Sequence, residues 1–245
     1  MKIEAHPVLG WPIVTAANCF DVIRSLGIKP WQQVREPEPL DSFLSHATEP
    51  EKDEYRRFGP KNFVVRYRNP HTGEPFNGFR SVFKPAAVVF ALLDEHVPVT
   101  AEWKHGNDRI TIVPVAGVPG KKEAELPTLA DRMRATAIRE WNEETGTELS
   151  SVTPLSPPSG IYSAVRPAEI QYFPFVGRVK EPVVKGPTKF DANEHLKMVL
   201  FSLNEWLALI ETNELWDQRP EFGLEMCARD VTYAALRELE RLKFV

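Results

Sequence analysis

The stretch REWNEETG, residues 139–146, sets Glu140, Glu143 and Glu144 behind an arginine and in front of a glycine. It closes a longer segment, LADRMRATAIREWNEETG, whose apolar residues recur at helical spacing and whose Gly146 stands where a helix commonly ends. With about 100° between successive residues, positions three and four apart share a face, so the three carboxylates line one strip of the helix. Ala130, Met133, Ala137, Ile138 and Trp141 fall to one side of that strip and are expected to pack on a sheet. The carboxylates then sit at the edge of buried ground. Like charges at this spacing repel by a few tenths of a kcal/mol per exposed pair, and by more once desolvated. Arg139 can pair with Glu143, but one arginine is not expected to neutralise three glutamates. A hard divalent cation does so, and it recruits phosphate oxygens as further ligands. A solvated acidic helix end capped by Gly146 accounts for the spacing alone; it does not account for the whole order of residue types.

That order, Arg-Glu-aromatic-x-Glu-Glu-x-Gly, resembles the second half of the Nudix box at every specified position. The preceding AEWKHGNDRITIVPVAG is similar to the strand pair that leads into the box in the ADP-ribose pyrophosphatase branch. The resemblance runs from about Asn62 to the C-terminus. It implies a Nudix-type α/β/α sandwich with a mixed sheet. It also implies Mg²⁺ or Mn²⁺ on Glu140, Glu143 and Glu144, with Arg139 orienting them. The first half of the box departs from the pattern. Glu125 stands where the family has glycine and Asp131 where it has glutamate, while Gly117 and Gly120 come earlier, as if about five residues had been inserted. If Thr128 is the N-cap, Asp131 closes a capping box and lies across the helix from Glu140; if the helix starts later, Asp131 is free to join the site. Glu123 and Glu125 are the other candidates.

The resemblance extends to further residues. The general base of the ADP-ribose branch often lies in a loop before a late strand, here GPTKFDANEHLKM, which makes Glu194 the first candidate and Asp191 the second. Trp103, Lys104 and Arg109 precede the box, where that branch uses aromatic and basic groups on the nucleotide. In the loop SPPSGIYSAVRPAE, Tyr162 is suited to stack on a base and Arg166 to contact phosphate, while Glu169 is a further ligand or base candidate. Pro157 and Pro158 suit the branch loosely and also simply rigidify a turn. His105 reads as a turn residue, since no second histidine stands at ligand spacing.

The rest of the sequence bounds these readings. A chain of 245 residues that is 42% hydrophobic can bury a sizeable core. A formal net charge of −4 leaves no electrostatic footprint for duplex nucleic acid. Cys19 and Cys227 stand far apart and read as buried small hydrophobes in a reducing compartment. No signal-peptide or membrane-spanning run stands out, which points to a cytoplasmic protein with no membrane partner. Residues 1–60, rich in proline and charge after one short helix capped near Thr15, read as an appendage docked on a domain of residues 61–245. Trp11, Trp31 and the hairpin near Gly73 offer material for a homodimer or for internal packing.

Strands are expected at FVVRYRN, FNGFRSVF, AAVVFALLD, VPVTAEWKHG, RITIVPV, EIQYFPFVGRV and HLKMVLFSL, and helices at the box and in the last forty or so residues, with SSVTPLSPPSG read as a loop. The functional expectation is hydrolysis of the diphosphate linkage of a nucleoside diphosphate derivative, ADP-ribose or an ADP-sugar foremost, giving AMP and a sugar phosphate. Dinucleotide polyphosphates or NADH are the alternative substrates. A non-catalytic nucleotide sensor of the same fold is the alternative of another class.

Overall fold

Alternating and continuous apolar runs become strands, and the amphipathic runs become helices. The computed structural model describes residues 3–28, 40–59, 61–68, 72, 74–104, 109–165, 168–189, 196–212, 216 and 218–242. The chain forms two compact units: residues 1–31, 86–160 and 173–245 make the first, and residues 32–85 and 161–172 the second. The chain passes between the units at residues 31/32, 85/86, 160/161 and 172/173.

The first unit holds a sheet ordered β1 (Ile13–Val14), β11 (Leu196–Ser202), β5 (His96–Lys104), β6 (Arg109–Val113) and β12 (Phe222–Leu224). β11, β5 and β6 run antiparallel, while β1 and β12 join the edges in parallel, so the sheet is mixed. The N-terminal segment therefore supplies a strand to the sheet, with Ile13 opposite Leu200. A further set of strands comprises β4 (Ala86–Leu92), β7 (Val115–Gly117), β8 (Leu149–Pro154) and residues 173–179 of β10 (Ala168–Val179). β8 occupies much of the segment expected to be a loop. Its pattern leaves only Val152 buried, because its other residues are polar or half-exposed, so it carries little apolar periodicity.

Helix α5 (Leu129–Thr145) packs on β4, β7 and β8. Met133, Ala137 and Trp141 are fully buried with Ala87, Val89, Val115, Phe173, Leu196, Met198 and Leu200. Ile138, expected on the packed side, is exposed, because the buried face extends from 133, 137 and 141 toward Glu144 and Thr136, on the side away from it. Trp141 brings an N–H into this core and donates it to Thr147 Oγ1 at 2.8 Å, so its burial leaves no polar group stranded. On another face, Phe201 stacks on Trp206 of α6 (Leu203–Glu211), and Trp206 Nε1 donates to Thr232 of α7 (Met226–Arg241) at 2.9 Å. Helices thus cover strands on both sides, and the mixed α/β fold class is as expected. Helix α1 (Cys19–Ser25) follows a loop in which Thr15 N donates to Asn18 Oδ1 at 2.8 Å, and Gly27 (φ +75°) turns the chain after it. Cys19 and Cys227 are free and buried, and burial pushes the Cys19 thiol up to about 12 and that of Cys227 upward too.

The second unit contains the hairpin of β2 (Lys61–Arg68) and β3 (Pro75–Val82), β9 (Ile161–Val165), and residues 168–172 of β10. It also contains α2 (Leu40–His46) and α3 (Glu49–Phe58). The sequence there reads as proline- and charge-rich, yet Thr48 and Glu51 form a capping box and Pro50 sits in the first turn, both of which start helices.

Candidate functional site

The C-terminal half of α5 is built around Arg139. Its Nε donates to Glu123 Oε1 at 3.1 Å, its Nη1 to Glu143 Oε2 at 2.6 Å, and its Nη2 to Glu140 Oε1 at 2.7 Å and to the Val118 carbonyl at 2.9 Å. One guanidinium thus holds three carboxylates, more than the single Glu143 pair the spacing suggests, because its planar fork reaches along the helix and across to the preceding loop. Burial alone would lower the Arg139 pKa. Glu140, Glu143 and Glu123 outweigh burial and hold it above its ordinary value, so the guanidinium is a permanent cation. Glu144 is 5% exposed. Lys189 lies at 3.5 Å from Glu143 Oε1.

The segment AGVPGKKEAELPT folds to serve this arrangement. β7 ends at Gly117, where an added Cβ would stand 2.1 Å from the Glu140 carboxyl group. The backbone there lies against the carboxylate, and a side chain at this position would displace it. Gly120 then starts α4 (Lys121–Ala124), whose buried Glu123 reaches Arg139. The segment after Gly120 therefore makes a short helix, and that helix brings the Glu123 carboxylate to Arg139. Thr128 is the N-cap of α5 and accepts from Asp131 N at 3.1 Å. Asp131 is thereby placed in the first turn with its carboxylate on Thr128, and Glu125 is exposed. Of the three outlying acids, the structure brings Glu123 into contact with Arg139.

Beyond the helix, Gly146 adopts φ +65° and its carbonyl accepts from Gly186 N at 2.6 Å. Lys189 N donates to the Glu143 carbonyl at 2.7 Å. Residues 180–189 thus cross the end of α5, pinned there by backbone hydrogen bonds. Lys185 Nζ reaches back to the Leu9 carbonyl and lies 5.8 Å from the centre of the Trp11 ring, so Trp11 packs internally. Sequence spacing could not signal these contacts.

Other predicted residues lie apart or outside the described set. Trp103 pairs with Ile110, and strand alternation puts it on the sheet face opposite Thr100 and Met198, whereas Met198 shares a core with α5. Arg109 is exposed at the start of β6, beside Gly223. Lys104 ends β5 opposite Arg109. Tyr162 on β9 and Glu169 on β10 belong to the second unit. Trp31, His105, Arg166, Asp191 and Glu194 lie outside the described residues.

The donor set suits a hard divalent cation. Glu123, Glu140 and Glu143 meet around Arg139, with Lys189 near Glu143, and Glu144 is buried one residue further along the helix. Oxygen donors in negative excess are what Mg²⁺ or Mn²⁺ takes. No three acidic or imidazole groups are gathered at ligand spacing among the described residues, because Arg139 draws three of the carboxylates onto its own nitrogens. No helix among the described residues is long and apolar enough to cross a membrane.

No protein-family model matches the chain, and no curated protein matches it. Among solved structures, one described as the crystal structure of an ADP compounds hydrolase is similar in fold, with a TM-score of 0.57. It is 15% identical, and the match covers 76% of this chain and 89% of that one. At this identity the likeness is one of fold.

Proposed function

We propose that the protein hydrolyses the diphosphate linkage of a nucleoside diphosphate derivative with Mg²⁺ or Mn²⁺, ADP-ribose or an ADP-sugar being favoured and AMP and a sugar phosphate the products. The observation that carries this reading is the set of Glu123, Glu140 and Glu143 clamped by Arg139, with the buried Glu144 on the same helix face. The resemblance of REWNEETG to the Nudix box and the fold likeness to a hydrolase of ADP compounds support it.

In this reading Glu140, Glu143 and Glu144 hold the cation, with Glu123 as a further oxygen donor. When bound, the cation polarises a phosphoryl oxygen and lowers the pKa of a water. Arg139 holds Glu123, Glu140 and Glu143 near one another, and on cation binding their oxygens would pass from its nitrogens to the cation. Gly117 lets Glu140 lie against the end of β7. A carboxylate takes the proton of the attacking water as its oxygen bonds to phosphorus and the bridging oxygen departs with the other phosphate. Glu194 is the first candidate for that base and Asp191 the second. Tyr162 and Arg166 are proposed for the adenine and phosphate, and Lys104 and Arg109 for the nucleotide. Trp103, facing away from α5, is the weakest of the proposed contacts.

The test is a panel of ADP-ribose, ADP-glucose, diadenosine polyphosphates and NADH with Mg²⁺ or Mn²⁺, read as AMP release from the native chain and from Glu144→Gln. Turnover of ADP-ribose that Glu144→Gln abolishes is the expected result. Turnover confined to a diadenosine polyphosphate would overturn the substrate preference, and no turnover of any of them would overturn the enzyme reading.

A further inference from the structure

We infer that Lys189 is the residue that binds the diphosphate of the substrate, an assignment that rests on the function proposed above. A diphosphate approaching this helix face meets four carboxylates, so the site needs a cation with donors to spare. Arg139 has little to spare: four of its five N–H donors are committed to Glu123, Glu143, Glu140 and the Val118 carbonyl, and all three of its nitrogens are engaged. Lys189 differs in each respect. Its side chain is 78% exposed, and its ammonium group meets Glu143 Oε1 only at 3.5 Å, on the oxygen that Arg139 does not use. An ammonium carries three donors, and this contact engages it weakly.

The position of Lys189 is nonetheless fixed. Its own N–H donates to the Glu143 carbonyl at 2.7 Å, and Gly186 N donates to the Gly146 carbonyl at 2.6 Å. The loop therefore anchors the lysine backbone to the helix that carries the carboxylates and leaves its charge facing outward. A lysine needed only to neutralise Glu143 would be expected nearer and less exposed. A mobile ammonium held at the margin of the cluster can instead swing from Glu143 to a phosphoryl oxygen.

Calorimetric titration of the full chain with α,β-methylene ADP in the presence of Mg²⁺ tests the assignment, beside ADP-ribose kinetics. Lys189→Ala is expected to weaken binding of the analogue by about tenfold and to raise KM by a similar factor, with kcat within about twofold; one such step is about 1.4 kcal/mol. Lys189→Arg is expected to restore most of the binding, and the melting temperature of both variants to match that of the native chain. Unchanged analogue affinity in Lys189→Ala would overturn the inference. So would a change confined to Mg²⁺ affinity, which would give Lys189 the role of neutralising Glu143, or an equal loss in both variants with a lowered melting temperature. A native chain that hydrolyses ADP-ribose while Lys189→Ala keeps its KM breaks this inference alone. A native chain that neither hydrolyses nor binds any of these compounds breaks the functional reading and this inference with it.

Discussion

The two ends of α5 put acidic residues to different uses. At the N-terminal end Asp131 is exposed, and its bonds go to Thr128, one residue before the helix begins. Both partners serve the helix itself, by satisfying an N–H that no helical carbonyl reaches and by placing negative charge at the positive end of the dipole. At the C-terminal end Glu140, Glu143 and Glu144 are half-buried or buried, and their charge opposes the dipole instead of complementing it. There the compensation comes from other side chains, the guanidinium of Arg139 on the same helix and the ammonium of the loop residue Lys189. Acids that stabilise a helix can thus be told from acids that a helix must be built to tolerate, and the second kind makes up the proposed site.

The sharpest way to break this contrast is Glu144→Gln. It should cut turnover by about 100-fold or more, read as kcat with ADP-ribose, while leaving the melting temperature unchanged or raised, since a repelling charge is removed. Gly117→Ala comes next. Its methyl group would meet the Glu140 carboxyl group at 2.1 Å, and a displacement of that order should lower kcat by about 10- to 100-fold. A crystal structure of the variant should show Glu140 shifted from Arg139. Arg139→Lys keeps the charge but loses the fork that reaches Glu123, Glu140 and Glu143 together, and about a tenfold loss of kcat/KM is expected. The smallest effect belongs to the other end: Thr128→Ala should cost about 1 kcal/mol in urea unfolding and leave kcat/KM within twofold. A loss of activity from Thr128→Ala as large as that from Arg139→Lys would erase the distinction between the two ends.

Much of α5 was legible because its signals are local. Thr128 and Asp131 announce the start, Gly146 the end, and 133, 137 and 141 the buried stripe, all within one segment. The strands with β-branched or aromatic runs were equally plain. β8 was not, because a strand with one buried residue lacks the alternation by which strands are recognised. Helix α3 was hidden by its polarity, although Thr48, Pro50 and Glu51 carried a start signal that could have been used. The site divides in the same way. Its helix-borne glutamates share one turn and one motif, whereas Glu123 reaches them only because α4 folds back on Arg139, and Lys189 only because Gly186 meets Gly146. Contacts made by one loop returning on another depend on the path of the chain, which no local pattern records.

The meeting of Gly146 and Gly186 also bears on how this protein can change over generations. A side chain on Gly146 would stand 2.5 Å from the Gly186 carbonyl oxygen, at a backbone angle that few other residues tolerate. Gly146 cannot take a side chain without lifting the loop that delivers Lys189, whereas a Cβ on Gly186 would stand 3.2 Å from the Gly146 carbonyl oxygen and needs a smaller shift. Gly146 is expected to be retained, and lengthening of the loop to be accepted before Gly186 or after Lys189, but not between them.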